Sequence, residues 1–295
     1  MQCKYYVLKN ILDFFIGKQL SVDEFMAFDY LLDYSKKLEL YATNKEIFNQ
    51  AYEKSNQLEI ISADIVEISS FRKLNLTVPQ DSIISLSVSG FMSSEDGLCS
   101  TGIKTVSNAL LAYKNVSNVI GAKINFDTGG GETMAGHILH SAIKEFGKPT
   151  VAHVINAGSA GYMGACACTE IVLANEAAGV GSIGSYISMS KKFVEVYGQE
   201  IIDLYSRLSD DKNGEFRALL KGDNEPMLNL LDRNVLLFHS QVKANRPMKE
   251  ATTEKALKGG MFQNRTAIKL GLADFIGDNQ FAIERINNYK KNKKK

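Results

Sequence analysis

The sequence predicts an α/β fold built on a mostly parallel sheet with flanking helices, and three observations predict it. First, strand-like and helix-like patterns alternate from Asp81 onward: Ser82–Ser89 is a strand, Ser100–Asn115 a helix with Ile103, Val106, Leu110 and Leu111 on one face, Val119–Phe126 a strand, Thr133–Phe146 a helix, and Val151–Ile155 a strand. Such alternation implies right-handed crossovers and parallel strands. Second, two of these strands run straight into small-residue turns, Ile124-Asn-Phe-Asp-Thr-Gly-Gly-Gly-Glu132 and Asn156-Ala-Gly-Ser-Ala-Gly-Tyr162. Third, Gly147-Lys-Pro149 closes the helix between them, because glycine accepts the terminating conformation and proline cannot continue a helix. In parallel sheets, sites lie at the carboxyl ends of strands, where both small-residue turns fall.

The elements on either side follow from the same reading. Residues 1–75 read as helices. Tyr6, Leu8, Ile11, Leu12, Phe15 and Ile16 recur at helical spacing, and Ser21-Val-Asp-Glu24 is a capping box ahead of a stripe of Phe25, Phe28, Leu31 and Leu32. The scarcity of glycine there, against its abundance later, puts a boundary near Pro79. After Val151–Ile155, the small-residue stretch Ala157–Cys168 reads as a helix and Glu170–Ala174 as a strand. Val180-Gly-Ser-Ile-Gly-Ser-Tyr186 is a glycine-spaced extended segment. Ser190–Tyr197 reads as a helix, Glu200–Tyr205 as a strand and Ser206–Asn213 as a polar loop. Phe216–Lys221, Pro226–Ala244 and Glu254–Leu257 read as helices, and Gly259–Gly271 as strand, turn and helix before Leu272–Ile276 closes the fold. The organisation expected is a helical N-terminal segment over 1–78, serving as an arm, a docking element or a pro-segment, a catalytic-type domain over 79–285, and a basic disordered tail over 286–295.

Composition narrows the function classes. The chain has 295 residues, 45% of them hydrophobic, so a substantial core is possible. The formal net charge of +1 offers no global field for nucleic acid or a membrane surface. Met1–Leu20 carries Lys4, Lys9, Asp13 and Lys18, which interrupt any signal-peptide core or membrane span, so a cytoplasmic location is expected. Cys3, Cys99, Cys166 and Cys168 have no C-x-x-C spacing and do not cluster with His137, His140, His153 and His239. Buried free thiols, no metal and no cofactor are the expectation.

A serine between glycines at the exit of a buried strand is a candidate nucleophile. A sharp strand-to-helix turn exposes its hydroxyl and aims the first helix amides at the group it attacks. Ser159 holds that place, and the glycines at 129–131 offer a second turn of the same design. Packing in an alanine-rich helix is the alternative for Ser159. A tight turn or a phosphate cradle is the alternative for the glycines, although Glu132 stands where a Walker loop needs lysine. None of the four histidines sits in a loop at the expected end of the sheet. That leaves a lysine base, which works only when its ammonium form is disfavoured by burial or by a substrate that excludes water.

Five features in order carry a family resemblance. Phe126-Asp-Thr-Gly-Gly-Gly-Glu132 resembles a Ser-Pro-Gly-Gly turn, with Gly129 where proline is usual. Ala157-Gly-Ser-Ala-Gly-Tyr162 resembles an Ala-Ser-Gly-Gly-Tyr nucleophile turn. Val180-Gly-Ser-Ile-Gly184 resembles Thr-Gly-Ser-Ile-Gly, and a lysine-bearing polar loop follows. Gly260–Gly277 resembles the closing signature, with Ala267, Gly271, Leu272, Asp274 and Gly277 in register. Over about residues 80–285 the chain resembles the signal peptide peptidase A family of Ser-Lys peptidases, built on the Clp protease/crotonase fold. The resemblance implies that Ser159 is acylated and that a lysine a little over 50 residues further on is the base. Lys212 lies 53 residues beyond it, and Lys221 is the fallback. It implies oxyanion donors from the amides of Gly130 or Gly131 and of Ala160. Gly181, Ser182 and Gly184 would bind substrate as an extended polypeptide strand, and Ser209 or Ser182 would orient the lysine. It also implies homo-oligomeric rings with sites at subunit interfaces. The soluble form resembles phage-encoded members that process scaffold or capsid proteins, with a cytoplasmic peptide-degrading enzyme as the second expectation. A coenzyme A thioester enzyme of the crotonase type and an inactive assembly protein are the expectations from other classes.

Overall fold

The computed structural model describes residues 20–22, 65–68, 74–97, 100–191, 197 and 202–293. The helical stripes expected over 1–19 and 25–64, together with Cys3 and Cys99, lie outside the described residues, as does most of the helix expected over 190–197.

The chain divides into two units. One comprises residues 1–20 and 185–237, the other residues 21–184 and 238–295. The second unit holds the sheet. Its strands are β1 (Leu20–Val22, of which Ser21 and Val22 lie in this unit), β2 (Ile65–Glu67), β3 (Ser82–Met92), β4 (Val119–Glu132), β5 (Thr150–Gly158), β6 (Glu170–Leu173), β7 (Gly179–Gly181), β8 (Met261–Gln263) and β9 (Phe275–Ile276). The order β2-β3-β4-β5-β6-β9 is parallel throughout. β7 continues alongside β5 beyond the end of β6, β8 runs antiparallel to β7, and β1 pairs with β4. The expected α/β class with a mostly parallel sheet is what the chain adopts.

The alternation in β3 and β4 explains the layering. Ile84, Leu86 and Val88 of β3, and Ile124 and Phe126 of β4, face one side. There they bury against α1 (Ile103–Ala112), through Val106 and Leu110, and α2 (Thr133–Phe146), through Leu139 and Ile143. α2 ends at Gly147, whose φ of 72° is the left-handed stop that Gly147-Lys-Pro149 predicts. Lys148 then donates to the carbonyls of Tyr113, Val116 and Val119, satisfying acceptors at the bottom of the sheet. The opposite face carries Ile83, Val151 and Val172, which pack against Ala282, Ile283 and Ile286 of α8 (Asn279–Lys293). Each such side chain contributes about 1.5–3 kcal/mol when fully buried, so α8 is a structural element rather than a frayed end.

That helix corrects the expected disordered tail. Its polar side is also anchored: the Tyr289 hydroxyl and Arg285 donate to the Glu170 carboxylate, and Lys290 pairs with Asp81. The sheet likewise begins earlier than the Pro79 boundary. Ile65–Glu67 forms an edge strand on β3 rather than a helix, as suits a β-branched Ile-Val pair beside an open edge. Ser21 and Val22 lie in a strand that pairs with β4, while Asp23 and Glu24 of the expected capping box, and the helix expected after it, lie outside the described residues.

The first unit contains α4 (Gly214–Leu220) and the amino-terminal part of α5 (Glu225–Asn245). Residues 202–205 do not form the expected strand. Ile202 and Leu204 are 88% and 92% exposed, without the paired backbone a strand requires. Two further elements complete the second unit, α6 (Glu250–Ala256) and α7 (Asn264–Lys269), the latter following β8 with no intervening turn. Among the described residues no helix is long and apolar enough to cross a membrane.

Candidate active site

β5 runs from Thr150 to Gly158, and the six-residue helix α3 (Ala160–Ala165) begins one residue later. Ser159 is the single residue between them. Its φ of 51° and ψ of −117° are open to glycine but disfavoured for any residue with a Cβ, a strain of about 1–3 kcal/mol. The surroundings impose it. The Ser159 amide donates to the Gly181 carbonyl at 2.8 Å, extending the β5–β7 ladder one residue past Gly158, while its carbonyl accepts from Met163 in the first turn of α3. One residue thus closes a strand and opens a helix.

Gly158, the residue before Ser159, sits against the glycine run of β4: a Cβ on it would lie 3.0 Å from the Gly129 carbonyl oxygen. Thr128 pairs with Ala157, and the run does not turn as expected but continues as strand through Glu132, with Gly130 opposite Phe91 and Gly131 opposite Met92. Gly131 must be glycine, because a Cβ there would lie 2.1 Å from the Met92 carbonyl oxygen. Thr128, which the sequence reading overlooked, braces the run. Its hydroxyl donates to the Gly90 carbonyl and accepts the Gly130 amide at 3.0 Å. The Gly130 amide is therefore already engaged. Glu132, also overlooked, is buried and accepts the Ser94 amide at 3.0 Å. Ala160 is the first residue of α3, so its amide has no intrahelical acceptor.

β7 forms the other wall. Gly181 has φ 131°, and a Cβ on it would meet the Gly260 carbonyl oxygen at 2.4 Å, so glycine is required. Ser182, at φ 52°, donates its amide to that same carbonyl at 2.9 Å. Ser159, Gly130, Gly131, Ala160, Gly181, Ser182 and Gly184 all belong to the second unit. Ser209 and Lys212 belong to the first. There the loop winds through successive tight turns, with the Lys212 amide on the Ser209 carbonyl and the Gly214 amide on the Asp211 carbonyl. Arg217 holds it by donating to the Asp210 carbonyl and stacking 4.8 Å over Tyr205. Lys212 is exposed, and among the described residues it forms no ion pair with Asp210 or Asp211. Lys221, which caps the end of α4, is exposed as well.

The hydroxyl is not presented to solvent as the sequence suggests: Ser159 is only 2% exposed, and Gly129–Gly131 are buried too. The histidines are engaged elsewhere. His153 contacts the Gly277 carbonyl, His137 contacts Gln241, His140 contacts Asn245, and His239 contacts the Leu257 carbonyl. Burial pushes the Lys123 and Lys148 ammonium groups down, yet neither is placed to serve Ser159. Lys123 pairs in register with Val151, at the far end of β5 and roughly 26 Å of strand from Ser159. It donates instead to Asn279, which fixes the start of α8. Lys148 precedes that same strand end.

Tyr162, three residues after Ser159, anchors α3 from below. Its hydroxyl donates to the Leu272 carbonyl at 2.9 Å. Arg246, buried beside it, donates to the Gly271 carbonyl and, at 2.8 Å, to Asp274, whose other oxygen accepts the Ile171 amide. Gly271, Leu272 and Asp274 of the closing signature thus hold the floor of the Ser159 turn. Cys166 and Cys168 are buried free thiols whose pKa values burial pushes up to about 12, which leaves them inert. Among the described residues no group of acidic, histidine or cysteine side chains is arranged to hold a metal.

Comparison with known proteins places this geometry. Residues 142–293, just over half the chain, match the model of peptidase family S49. MJ0651 of Methanocaldococcus jannaschii, named as a candidate protease, is 24% identical over 187 residues, covering 61% of this chain; the chain spans 59% of that relative's length. Among solved structures, a variant of the 1510-N membrane-bound stomatin-specific protease is 12% identical at a TM-score of 0.43, covering 69% of this chain and 83% of that one. A ClpP1 variant from Listeria monocytogenes is 15% identical at 0.43, covering 68% and 94%. An enoyl-CoA hydratase/isomerase from Marinobacter aquaeolei is 12% identical at 0.42, covering 80% and 75%. At these scores the three likenesses are loose, and the assignment rests on the family match, which takes in both the nucleophile turn and the closing signature: the chain belongs to peptidase family S49.

Proposed function

We propose that this protein is an ATP-independent serine endopeptidase in which Ser159 is the nucleophile and Lys212 the general base. The observation that carries the reading is the Ser159 backbone, held in a strained conformation between β5 and α3, beside the Gly131 strand and the free first amide of α3. In the reaction, Lys212 Nζ takes the hydroxyl proton as Ser159 Oγ attacks the scissile carbonyl carbon. The carbonyl oxygen, now negative, is held by the Gly131 and Ala160 amides. The leaving amine departs with a proton from the lysine, leaving an acyl-enzyme that water hydrolyses by the same path. Lys212 is exposed in the free chain, so substrate or a neighbouring copy would have to cover it when the dyad forms.

The substrate is a polypeptide bound as an extended strand between the glycine end of β4 and the Gly181–Gly184 segment, recognised mainly through its backbone. In a head-assembly setting that polypeptide would be a scaffold or capsid protein. A homo-oligomer would place Lys212 of one copy at Ser159 of the next. The exposed Ile202, Leu204 and Leu208 around the lysine loop support an interface there.

Fluorophosphonate labelling followed by peptide mass spectrometry tests the chemistry. Ser159→Ala should abolish labelling, and Lys212→Ala should slow it by about 10²–10⁴-fold while Lys221→Ala does not. Labelling that survives Ser159→Ala would overturn the assignment. Mixing the Ser159→Ala and Lys212→Ala proteins should restore activity if the dyad forms between copies.

A further inference from the structure

The covered state of Ser159 has a source within the chain. β4 has two long neighbours: β3 accompanies it as far as the Met92↔Gly131 pair, and β5 only as far as Thr128↔Ala157. Past Thr128, β5 leaves through Gly158 into the Ser159 elbow, and none of its residues is in register with Gly129–Glu132. The backbone nonetheless keeps strand geometry to Glu132, one residue beyond its last partner on β3. Gly129, Gly130, Gly131 and Ser159 are all buried.

β1 pairs with β4, and only one place on β4 can take it. From Ala122 to Asp127 both edges are filled, by β3 and by β5. At the amino end, the Ala122 amide already donates to the Pro149 carbonyl. The Val119 amide donates to the Val116 carbonyl and its own carbonyl accepts Lys148, so this end is engaged as well. The glycine end remains.

We infer that Leu20-Ser-Val22 occupies the strand-addition groove beside Ser159 and competes there with peptide substrate. The inference rests on the peptidase reading and names a regulator of that same site. The segment is uncharged along its three residues and bounded by Gln19 and Asp23, which makes it an extended peptide of the kind such a groove takes. A tethered competitor acts at an effective concentration on the order of millimolar. A three-residue strand binds weakly by itself, so a longer substrate displaces it. The expected behaviour is a several-fold suppression of the free enzyme, relieved by substrate, rather than a complete block.

Hydrogen exchange on the full chain reads the pairing without reference to activity. The amides of residues 20–22 should be protected in the free protein and should lose that protection when a peptide aldehyde occupies Ser159. Ser21→Pro removes a strand amide and should raise the rate of fluorophosphonate labelling at Ser159 several-fold, with the circular dichroism of the fold unchanged. Exchange of residues 20–22 at the rate of an unstructured peptide would overturn the inference, as would equal labelling of Ser21→Pro and the parent. If exchange shows protection but neither protein labels at Ser159, the groove occupant stands and the peptidase reading falls.

Discussion

The two units of this chain handle their proposed catalytic residues in opposite ways. Around Ser159 every support is buried and specific: the Gly181 carbonyl on its amide, Gly131 against Met92, Tyr162 on Leu272, and Arg246 on Asp274. Around Lys212 the supports are turns and surface contacts. No residue of α4 is buried, and Ile202, Leu204 and Leu208 stand 88–97% exposed. A nucleophile needs a fixed trajectory, and the packed sheet end supplies it. A lysine base needs a dry environment, which an exposed loop acquires only by being covered. If Lys212 is the base, as proposed, assembly or substrate rather than folding would have to cover it.

Changes on the buried side should sharpen that contrast most. Arg246→Ala strips a buried guanidinium from Asp274 and from the Gly271 carbonyl, and should lower stability by about 3–5 kcal/mol in denaturant titration. Gly131→Ala forces a Cβ into the Met92 carbonyl and should cost about 3 kcal/mol or displace β3 from β4, visible as lost amide protection in both strands.

An acid-linked effect of intermediate size is expected where α2 meets α5. Asn245 donates through Nδ2 to the Gln241 carbonyl and accepts Lys144 through Oδ1, so its amide cannot turn over, and His140 Nε2 must accept from it. Burial, then Lys144, then His137 push the His140 imidazole down to about 4. Between that value and about 6.5 the unfolded chain binds a proton that the folded chain does not. Stability is therefore full above about pH 6.5 and falls as the pH drops toward 4, by on the order of 1–2 kcal/mol after solvent screening. His140→Gln should flatten that part of the stability–pH curve. The smallest effect belongs to the other unit: Leu204→Ser with Leu208→Ser should change folding stability by less than about 0.5 kcal/mol while weakening self-association in sedimentation. A large stability loss from that pair would erase the distinction between the units.

Local signals in the sequence foretold the sheet body well. The alternation in Ser82–Ser89 and the stop at Gly147-Lys-Pro149 both report backbone chemistry that acts within a few residues. The strand-to-helix elbow at Ser159 was readable for the same reason. The glycine run at 129–131 was not, because whether glycines turn or extend depends on a neighbour, and Phe91 and Met92 of β3 supply one. Thr128 and Arg246 act across 38 and 28 residues of sequence, on Gly90 and Asp274, and no local pattern announces them. The Lys290–Lys295 run read as a solvated tail because charge dominates its composition, yet Ala282, Ile283 and Ile286 ahead of it carry the helix onto the sheet through residue 293.

The twisted backbone at Ser159 means the molecule would rest more easily with glycine at that position. Glycine takes φ 51°, ψ −117° at no steric penalty, so Ser159→Gly should melt higher than the parent, by about 1 kcal/mol in free energy, while being unable to form an acyl-enzyme. Stability and a side chain at position 159 thus pull in opposite directions, and the hydroxyl costs the fold what glycine would return.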